Sequence, residues 1–132
     1  MLRKIGLRKI GFILLSASAA ITTNAYSMVT NSLVPGITVE YDLPPNEPQV
    51  FANYMFWTIE AHCTIASVDD SNDLFAKAIS KKGKINDVLI AAGQSLSLTV
   101  RQGEVLKLSA ESGAKVEITN KGQHLIKATC ST

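Results

Sequence analysis

Thiol or metal chemistry has one obvious location in this chain, the sequence FWTIEAHCTI, where His62 directly precedes Cys63. A histidine and a cysteine this close could be a nucleophile with its general base, two ligands of a metal ion, or neighbours with separate roles. The chain has 2 histidines and 2 cysteines, and the other pair is His124 and Cys130. Which chemistry is possible depends on the element that positions these side chains.

The residues around Cys63 predict a β-strand. Every second residue from Trp57 to Ile65 belongs to an apolar set that includes Cys63, whereas His62 belongs to the polar set between them. Adjacent strand residues point to opposite faces of a sheet. We therefore expect Trp57 and Cys63 to face the core and His62 to face solvent, so that the histidine cannot activate the thiol.

Cys130 has a similar environment near the end of the chain, because it shares an apolar face with Ile126 and Ala128. Two core-facing cysteines in an exported chain predict a disulfide. We predict a bond between Cys63 and Cys130 that joins a central strand to the last strand.

The sequence supports a metal site less well than it supports a disulfide. A structural zinc site needs four ligands, and roughly 20 Å of strand would separate His124 from Cys130. Asp69, Ser71 and Asp73 have the spacing of calcium ligands, but the glycine and the distal glutamate of an EF-hand loop are missing. We interpret this segment as an acidic surface turn, with a calcium site as the alternative, and we predict no cofactor.

The N-terminal residues predict export. Arginines and lysines within the first nine residues precede an apolar stretch at 12–21 and a polar region that ends at Ala25. This is the layout of a secretory signal peptide, and the apolar stretch is shorter than the roughly 20 residues that a bilayer-spanning helix needs. We predict a signal peptide at 1–25, a periplasmic or secreted protein, and no integral membrane segment after cleavage.

The charge of the remaining chain argues against nucleic acid as a partner. The sequence has 13 Lys and Arg against 11 Asp and Glu. Four of the basic residues lie in the predicted signal peptide and none of the acidic ones does, which leaves nine basic against eleven acidic residues. Nucleic-acid-binding domains usually carry a basic face, and we expect no such partner here.

The C-terminal half predicts short strands separated by turns. Glycines occur at positions 83, 93, 103, 113 and 122, and the segments between them alternate apolar and polar residues, as in SLSLTV. Turn signals about every ten residues are typical of a sandwich or barrel. We predict an all-β fold, a single antiparallel β-sandwich or β-barrel-like domain with one disulfide, whose C-terminal half is an antiparallel meander.

The N-terminal half is less regular. We predict a first strand at 37–43, within an N-terminal segment at 26–48, and expect this strand to pair with a β-sandwich domain at 49–132. Residues 73–82 carry both helix and strand signals. We favour a strand there, because the segments that follow are strands.

The stretches LPPNEPQVF and FWTIEAHCTI, followed by SGAKVEITNKGQHLIKATC, resemble small, signal-peptide-bearing, uncharacterised proteins of intracellular gammaproteobacteria. The resemblance covers most of the chain after residue 25. It implies export and a compact β domain, and it implies no activity and no site residues.

The sequence favours a non-catalytic interaction domain over an enzyme. Ser112 and Lys115 match the Ser-x-x-Lys pattern of some hydrolases, but on a predicted turn instead of at the start of a helix. The alternatives that we retain are a pilin-like subunit, in which strand 37–43 is donated to a neighbour, and a small secreted hydrolase.

The strand alternation also predicts a contact surface. Tyr54, Phe56, Glu60 and His62 have the parity of the solvent-facing side. Two exposed aromatic rings on a sheet face suit contact with a protein or a glycan. We therefore expect these residues to form the interaction surface, for an unknown protein or glycan partner.

Overall fold

The computed structural model of the protein describes residues 29–132, and this part of the chain contains β-strands and no helix. The strands are β1 (Val29–Ser32), β2 (Thr38–Leu43), β3 (Gln49–Ala52), β4 (Ile59–Ala66), β5 (Ser71–Ser80), β6 (Lys82–Ile85), β7 (Val88–Ala91), β8 (Ser95–Arg101), β9 (Val105–Ala110), β10 (Lys115–Asn120) and β11 (Ile126–Ser131). The predicted signal peptide and its cleavage site lie outside the described residues. Between residues 29 and 132, no helix has the length and apolar character needed to cross a membrane.

The strands form two sheets that pack face to face. One sheet has 6 strands in the order β2-β11-β4-β9-β6-β7, and the other has 5 in the order β1-β3-β10-β5-β8. Paired strands run antiparallel, except that β1 runs parallel to β3. Both sheets contribute side chains to one core, and they do not close into a barrel. The predicted all-β fold is confirmed, and of its two forms the sandwich is correct.

The predicted alternation determines which side chains enter the core. Every second residue of β4 from Ile59 to Ile65 is buried, and the residues between them are exposed. β11 alternates in the same way, except that Lys127 is half-buried. The segment at 73–82, for which we favoured a strand over a helix, falls largely within β5, where burial also alternates along most of the strand. Each strand therefore presents one apolar face to the core, which is the main source of stability in such a fold.

The strand predicted at 37–43 is β2, and it pairs along its whole length with β11, from Thr38 opposite Ser131 to Leu43 opposite Ile126. Tyr41 of β2 packs edge-on against Phe51 of β3, with the ring centroids 5.1 Å apart. Because β2 and β3 belong to different sheets, this aromatic contact helps to join them.

The predicted meander is wrong. Within the described chain, every connection between successive strands except the β6–β7 hairpin crosses from one sheet to the other. Strand pairing places the crossings β1–β2, β3–β4, β9–β10, β5–β6 and β7–β8 side by side at one end of the sandwich. The β3–β4 connection is the second in this row, between the β1–β2 crossing and the β9–β10 turn.

Three of the crossings use glycine in the same way. Gly93, Gly103 and Gly113 have φ angles of 87°, 82° and 80°, which residues with a side chain rarely adopt. In each turn, the N–H of the residue after the glycine donates to the carbonyl of the residue two positions before the glycine. In the turn at Gly103, for example, the Glu104 N–H donates to the Arg101 carbonyl at 3.0 Å. The even spacing of these glycines therefore reflects a repeated tight turn.

Candidate functional site

The β3–β4 connection displays three aromatic side chains, and we call residues 53–58, NYMFWT, the aromatic loop. Tyr54 is 57% exposed, Phe56 94% and Trp57 54%. Full burial of a large apolar side chain is worth about 1.5–3 kcal/mol relative to exposure, so the fold forgoes appreciable stability here. Exposed apolar patches of this kind mark contact sites.

Asn53 fixes the aromatic loop from its inner side. The side chain is fully buried, and its Nδ2 donates to the carbonyls of Trp57 at 2.8 Å and Ala110 at 2.9 Å. Its Oδ1 accepts the N–H of Met55 at 2.8 Å. Water cannot replace these bonds at a buried position, so the loop conformation is tied to this one amide.

The β9–β10 turn supports the loop from the side. Ser112 Oγ donates to the Met55 carbonyl at 2.6 Å, and the Gly113 N–H donates to the Asn53 carbonyl at 2.9 Å. Met55 packs against the core, whereas the aromatic side chains on either side of it are exposed. The backbone that carries the rings is therefore held in position before any partner binds, which lowers the entropy cost of binding.

Lysines lie beside the aromatic loop. The Nζ of Lys115 is 6.0 Å from the centroid of the Tyr54 ring, within reach of a cation–π contact. The side chain of Lys81, in the β5–β6 crossing, lies against the turn at 111–114, and Lys82 is the first residue of β6. Apolar and cationic groups are thus combined at this end of the sandwich.

Two corrections concern the aromatic residues. Trp57 was predicted to be buried, and this is wrong, because β4 begins at Ile59 and the alternation of that strand does not extend back into the loop. Tyr54 and Phe56 are exposed, but they belong to a connection between the sheets and not to a sheet face.

Asn53 was not identified from the sequence. The available signal was an asparagine after an apolar run, a typical residue where a strand ends in a turn.

The other two residues of the predicted surface lie elsewhere. Glu60 and His62 project from the outer face of β4 and line a cleft of about 160 Å³. This cleft also contains Lys107 and Asp87, whose charged groups are 3.2 Å apart. A neighbouring cleft shares Glu60 and reaches Thr58, so the polar face begins where the aromatic loop ends. The four predicted residues therefore occupy two adjoining surfaces.

The predicted disulfide is present. Cys63 on β4 and Cys130 on β11 lie opposite one another in register, and both are buried. His62 is on the opposite, solvent-facing side of β4. The histidine and the sulfur are therefore separated by the sheet, and the sulfur is held in a disulfide bond.

The residues considered for calcium lie in and after the β4–β5 connection. The Asp69 carboxylate is 3.0 Å from Nδ1 of His124, which precedes β11 instead of lying on it. Asp73 accepts a hydrogen bond from Thr99 Oγ1 at 2.8 Å, and Ser71 is exposed at the start of β5. Within residues 29–132, no group of 3 or more His, Cys, Asp or Glu side chains is arranged to hold a metal ion.

Asn120 repeats the role of Asn53 at the opposite end of the sandwich. Its side chain is fully buried, and its Nδ2 donates to the carbonyls of Leu43 at 2.9 Å and His124 at 2.8 Å. Its Oδ1 accepts the Gly122 N–H at 2.8 Å. Each asparagine thus joins the sheet of β3 and β10 to the other sheet, one at each end.

Two titratable groups with shifted pKa values lie on the β2–β11 pair. Burial raises the pKa of Tyr41. A hydrogen bond to Asp42, together with the charges of Asp42 and Glu40, raises the pKa of Lys127. Packing and an ion pair account for both shifts, and neither group belongs to the aromatic loop.

No protein-family model matches this chain, and no curated protein or solved structure matches it.

Proposed function

We propose that the chain is an exported, non-catalytic interaction domain whose contact site is the aromatic loop. The observation that supports this most directly is the exposure of Phe56, at 94%, in a loop whose inner side is fixed by hydrogen bonds. A ring without polar atoms gains nothing from this position in the free protein. It gains a great deal if a partner covers it.

The shape of the loop favours a large partner. None of the three exposed rings lines the clefts at Glu60, at Asp69 and at Val68. A small molecule needs a concave site that surrounds most of its surface, whereas a protruding ring acts by entering another surface. A protein and a glycan were the partners expected from the sequence, and both are large enough.

The pilin-like alternative depended on donation of the strand at 37–43. In the structure, β2 has its partner in the same chain, since it pairs in full with β11. A donated segment would have to be found elsewhere, and we therefore prefer the aromatic loop as the basis of function.

The compartment is tested by expressing the full chain in a Gram-negative cell. We expect the protein in the periplasm or the medium, with its N-terminus near Tyr26, because the first 25 residues have the composition of a signal peptide. Cell fractionation and mass spectrometry of the purified protein measure both. An unprocessed protein in the cytosol would contradict export.

The contact site is tested by truncating Tyr54 and Phe56 to alanine together. Both side chains are exposed, so the midpoint of thermal unfolding should change by only a few degrees, as usual for surface substitutions. Capture of envelope or host material by the immobilised protein should be lost. The matched control replaces Val68 and Leu125, exposed apolar residues at the opposite end, and should retain capture. Capture that survives loss of both rings would refute the proposed contact site.

A further inference from the structure

We propose that the aromatic loop inserts into the lipid–water interface of an anionic membrane, with lysines behind it contacting the headgroups. This inference rests on the proposed function and names the partner of the same site. The inference follows from the residues exposed at the end of the sandwich that carries the aromatic loop, and from the way these residues project into solvent.

The apolar part of this end extends beyond the three rings. The β1–β2 crossing lies in the same row as the aromatic loop, and the Leu33 N–H donates to the carbonyl of Ala52, the residue before Asn53, at 2.9 Å. Val34 and Ile37 of that crossing are exposed by 40% and 47%. Five large apolar side chains on two neighbouring crossings therefore point into solvent at one end: Val34, Ile37, Tyr54, Phe56 and Trp57.

The composition of this end matches a lipid interface. Trp and Tyr are enriched at membrane–water interfaces, because each has an apolar body and one polar group. Phe56 is the most exposed of the rings and has no polar group, so it is suited to the deepest position. A projecting end needs no complementary pocket on a bilayer, whereas a folded protein would need one for each ring.

The charges beside the loop fit an anionic surface. Lys115 lies next to the Tyr54 ring, and Lys81 and Lys82 lie beyond the β9–β10 turn, in the β5–β6 crossing and at the start of β6. Glu111 is an acidic neighbour, and its carboxylate accepts the Lys82 backbone N–H at 3.0 Å. The lysines form a cationic rim at one end of a body that carries more acidic than basic residues once the first 25 are removed.

A glycan is a less suitable partner for the same residues. Specific sugar recognition combines a ring with polar groups beside it that bind the hydroxyls of the same sugar. The polar residues Glu60 and His62 lie on the outer face of β4, in a cleft that the three rings do not line. The rings and the polar cleft are thus adjacent but separate.

Trp57 makes the inference directly measurable, because it is the only tryptophan of the chain. The exported protein is mixed with vesicles of phosphatidylethanolamine and phosphatidylglycerol, and with vesicles of phosphatidylcholine alone. We expect co-sedimentation with the anionic vesicles, a blue shift of the Trp57 emission, and quenching of Trp57 by brominated lipid. Raising the salt concentration should weaken binding, since exposed charges are screened.

Two sets of variants distinguish insertion of the aromatic loop from non-specific adsorption to the vesicles. Phe56→Asp should weaken binding about 30-fold, because an apolar ring is replaced by a charge. The unsubstituted protein and Phe56→Asp have the same N-terminus, so any lipid binding by residues 1–25 would be equal in the two proteins. Lys81→Gln with Lys115→Gln should weaken binding about fivefold per lysine. Lys77→Gln with Lys121→Gln removes the same charge away from the rim and should have little effect.

The outcomes also distinguish this inference from the proposed function. Unchanged Trp57 emission, with protein remaining in solution beside anionic vesicles, overturns the membrane inference. If the protein then still captures a protein or a glycan in a manner that depends on Tyr54 and Phe56, the contact site stands with a different partner. If vesicle binding persists in Phe56→Asp, the loop is not the inserted element and the inference is wrong.

Discussion

At the scale of single residues, two buried amides determine the shape of the sandwich ends. Asn53 and Asn120 each donate to two carbonyls and accept one N–H from the connection that follows them. A buried backbone group that loses its partner costs about 1–3 kcal/mol, more than the net gain from making the bond. These asparagines therefore matter mainly through the groups that their removal would leave unpaired.

Replacing Asn53 with alanine should lower the free energy of unfolding by about 2–4 kcal/mol, because Trp57 O, Ala110 O and the Met55 N–H lose their partner. Urea denaturation measures the loss. The native-state emission of Trp57 should also change as the loop is released. Asn120→Ala is the matched control, with a similar loss of stability at the other end and unchanged Trp57 emission. Equal emission changes in both variants would contradict a local role for Asn53.

The sequence predicted the aromatic residues of the site only in part. Tyr54 and Phe56 were expected to be exposed because of strand parity, whereas Trp57 was placed in the core by the same parity. The error arises because an apolar residue just outside a strand is indistinguishable, by alternation, from one just inside it. The loop that precedes β4 is fixed in part by the hydrogen bond from Asn53 to the Ala110 carbonyl, a contact between distant parts of the chain that no local pattern contains.

At the scale of elements, the sequence predicted the strands well and their pairing poorly. In β9 and β10 the apolar side chains Leu106, Ala110, Val116 and Ile118 are buried as alternation requires. The same alternation arises whether a turn returns the chain to the neighbouring strand or carries it across the core. Turn glycines therefore predicted where strands end, but the partner of each strand depends on how the two sheets pack.

Two glycines test different constraints on these elements. At Gly103 there is open space for a Cβ but φ is +82°, so Gly103→Ala should cost about 1–2 kcal/mol through the backbone alone. Gly103→Asn should cost less, because asparagine tolerates positive φ. At Gly83 a Cβ would lie 2.7 Å from the Ser109 carbonyl oxygen, so Gly83→Ala should cost about 2–3 kcal/mol by forcing β6 away from β9. Chemical denaturation of the three variants gives the order, and a larger loss for Gly103→Ala than for Gly83→Ala would contradict it.

At the scale of the whole molecule, the disulfide closes about half of the chain into a loop. Cys63 and Cys130 are 67 residues apart in sequence, and they join β4 to β11 within the larger sheet. A cross-link over this length removes much of the freedom of the unfolded chain. The bond therefore adds to the stability of a domain whose size limits the fraction of its surface that folding can bury.

Replacing both cysteines with alanine should lower the free energy of unfolding by about 4 kcal/mol, as the chain-entropy relation gives for this separation. Thermal and urea unfolding of the oxidised, reduced and double-variant proteins measure the effect. Mass spectrometry of the non-reduced protein should identify the Cys63–Cys130 peptide. Thiols that react with an alkylating agent in the native protein would argue against the bond.

The crossings between the sheets have a further consequence, for the time course of folding. β2 must pair with β11, and β3 with β10, so both sheets depend on contacts between distant parts of the sequence. Such a topology folds slowly, because a long stretch of chain must be ordered before these contacts form. The larger sheet cannot be completed until the last strand is available. We therefore expect the sandwich to form only after β11 has been synthesised, which would keep the chain unfolded for the export proposed above.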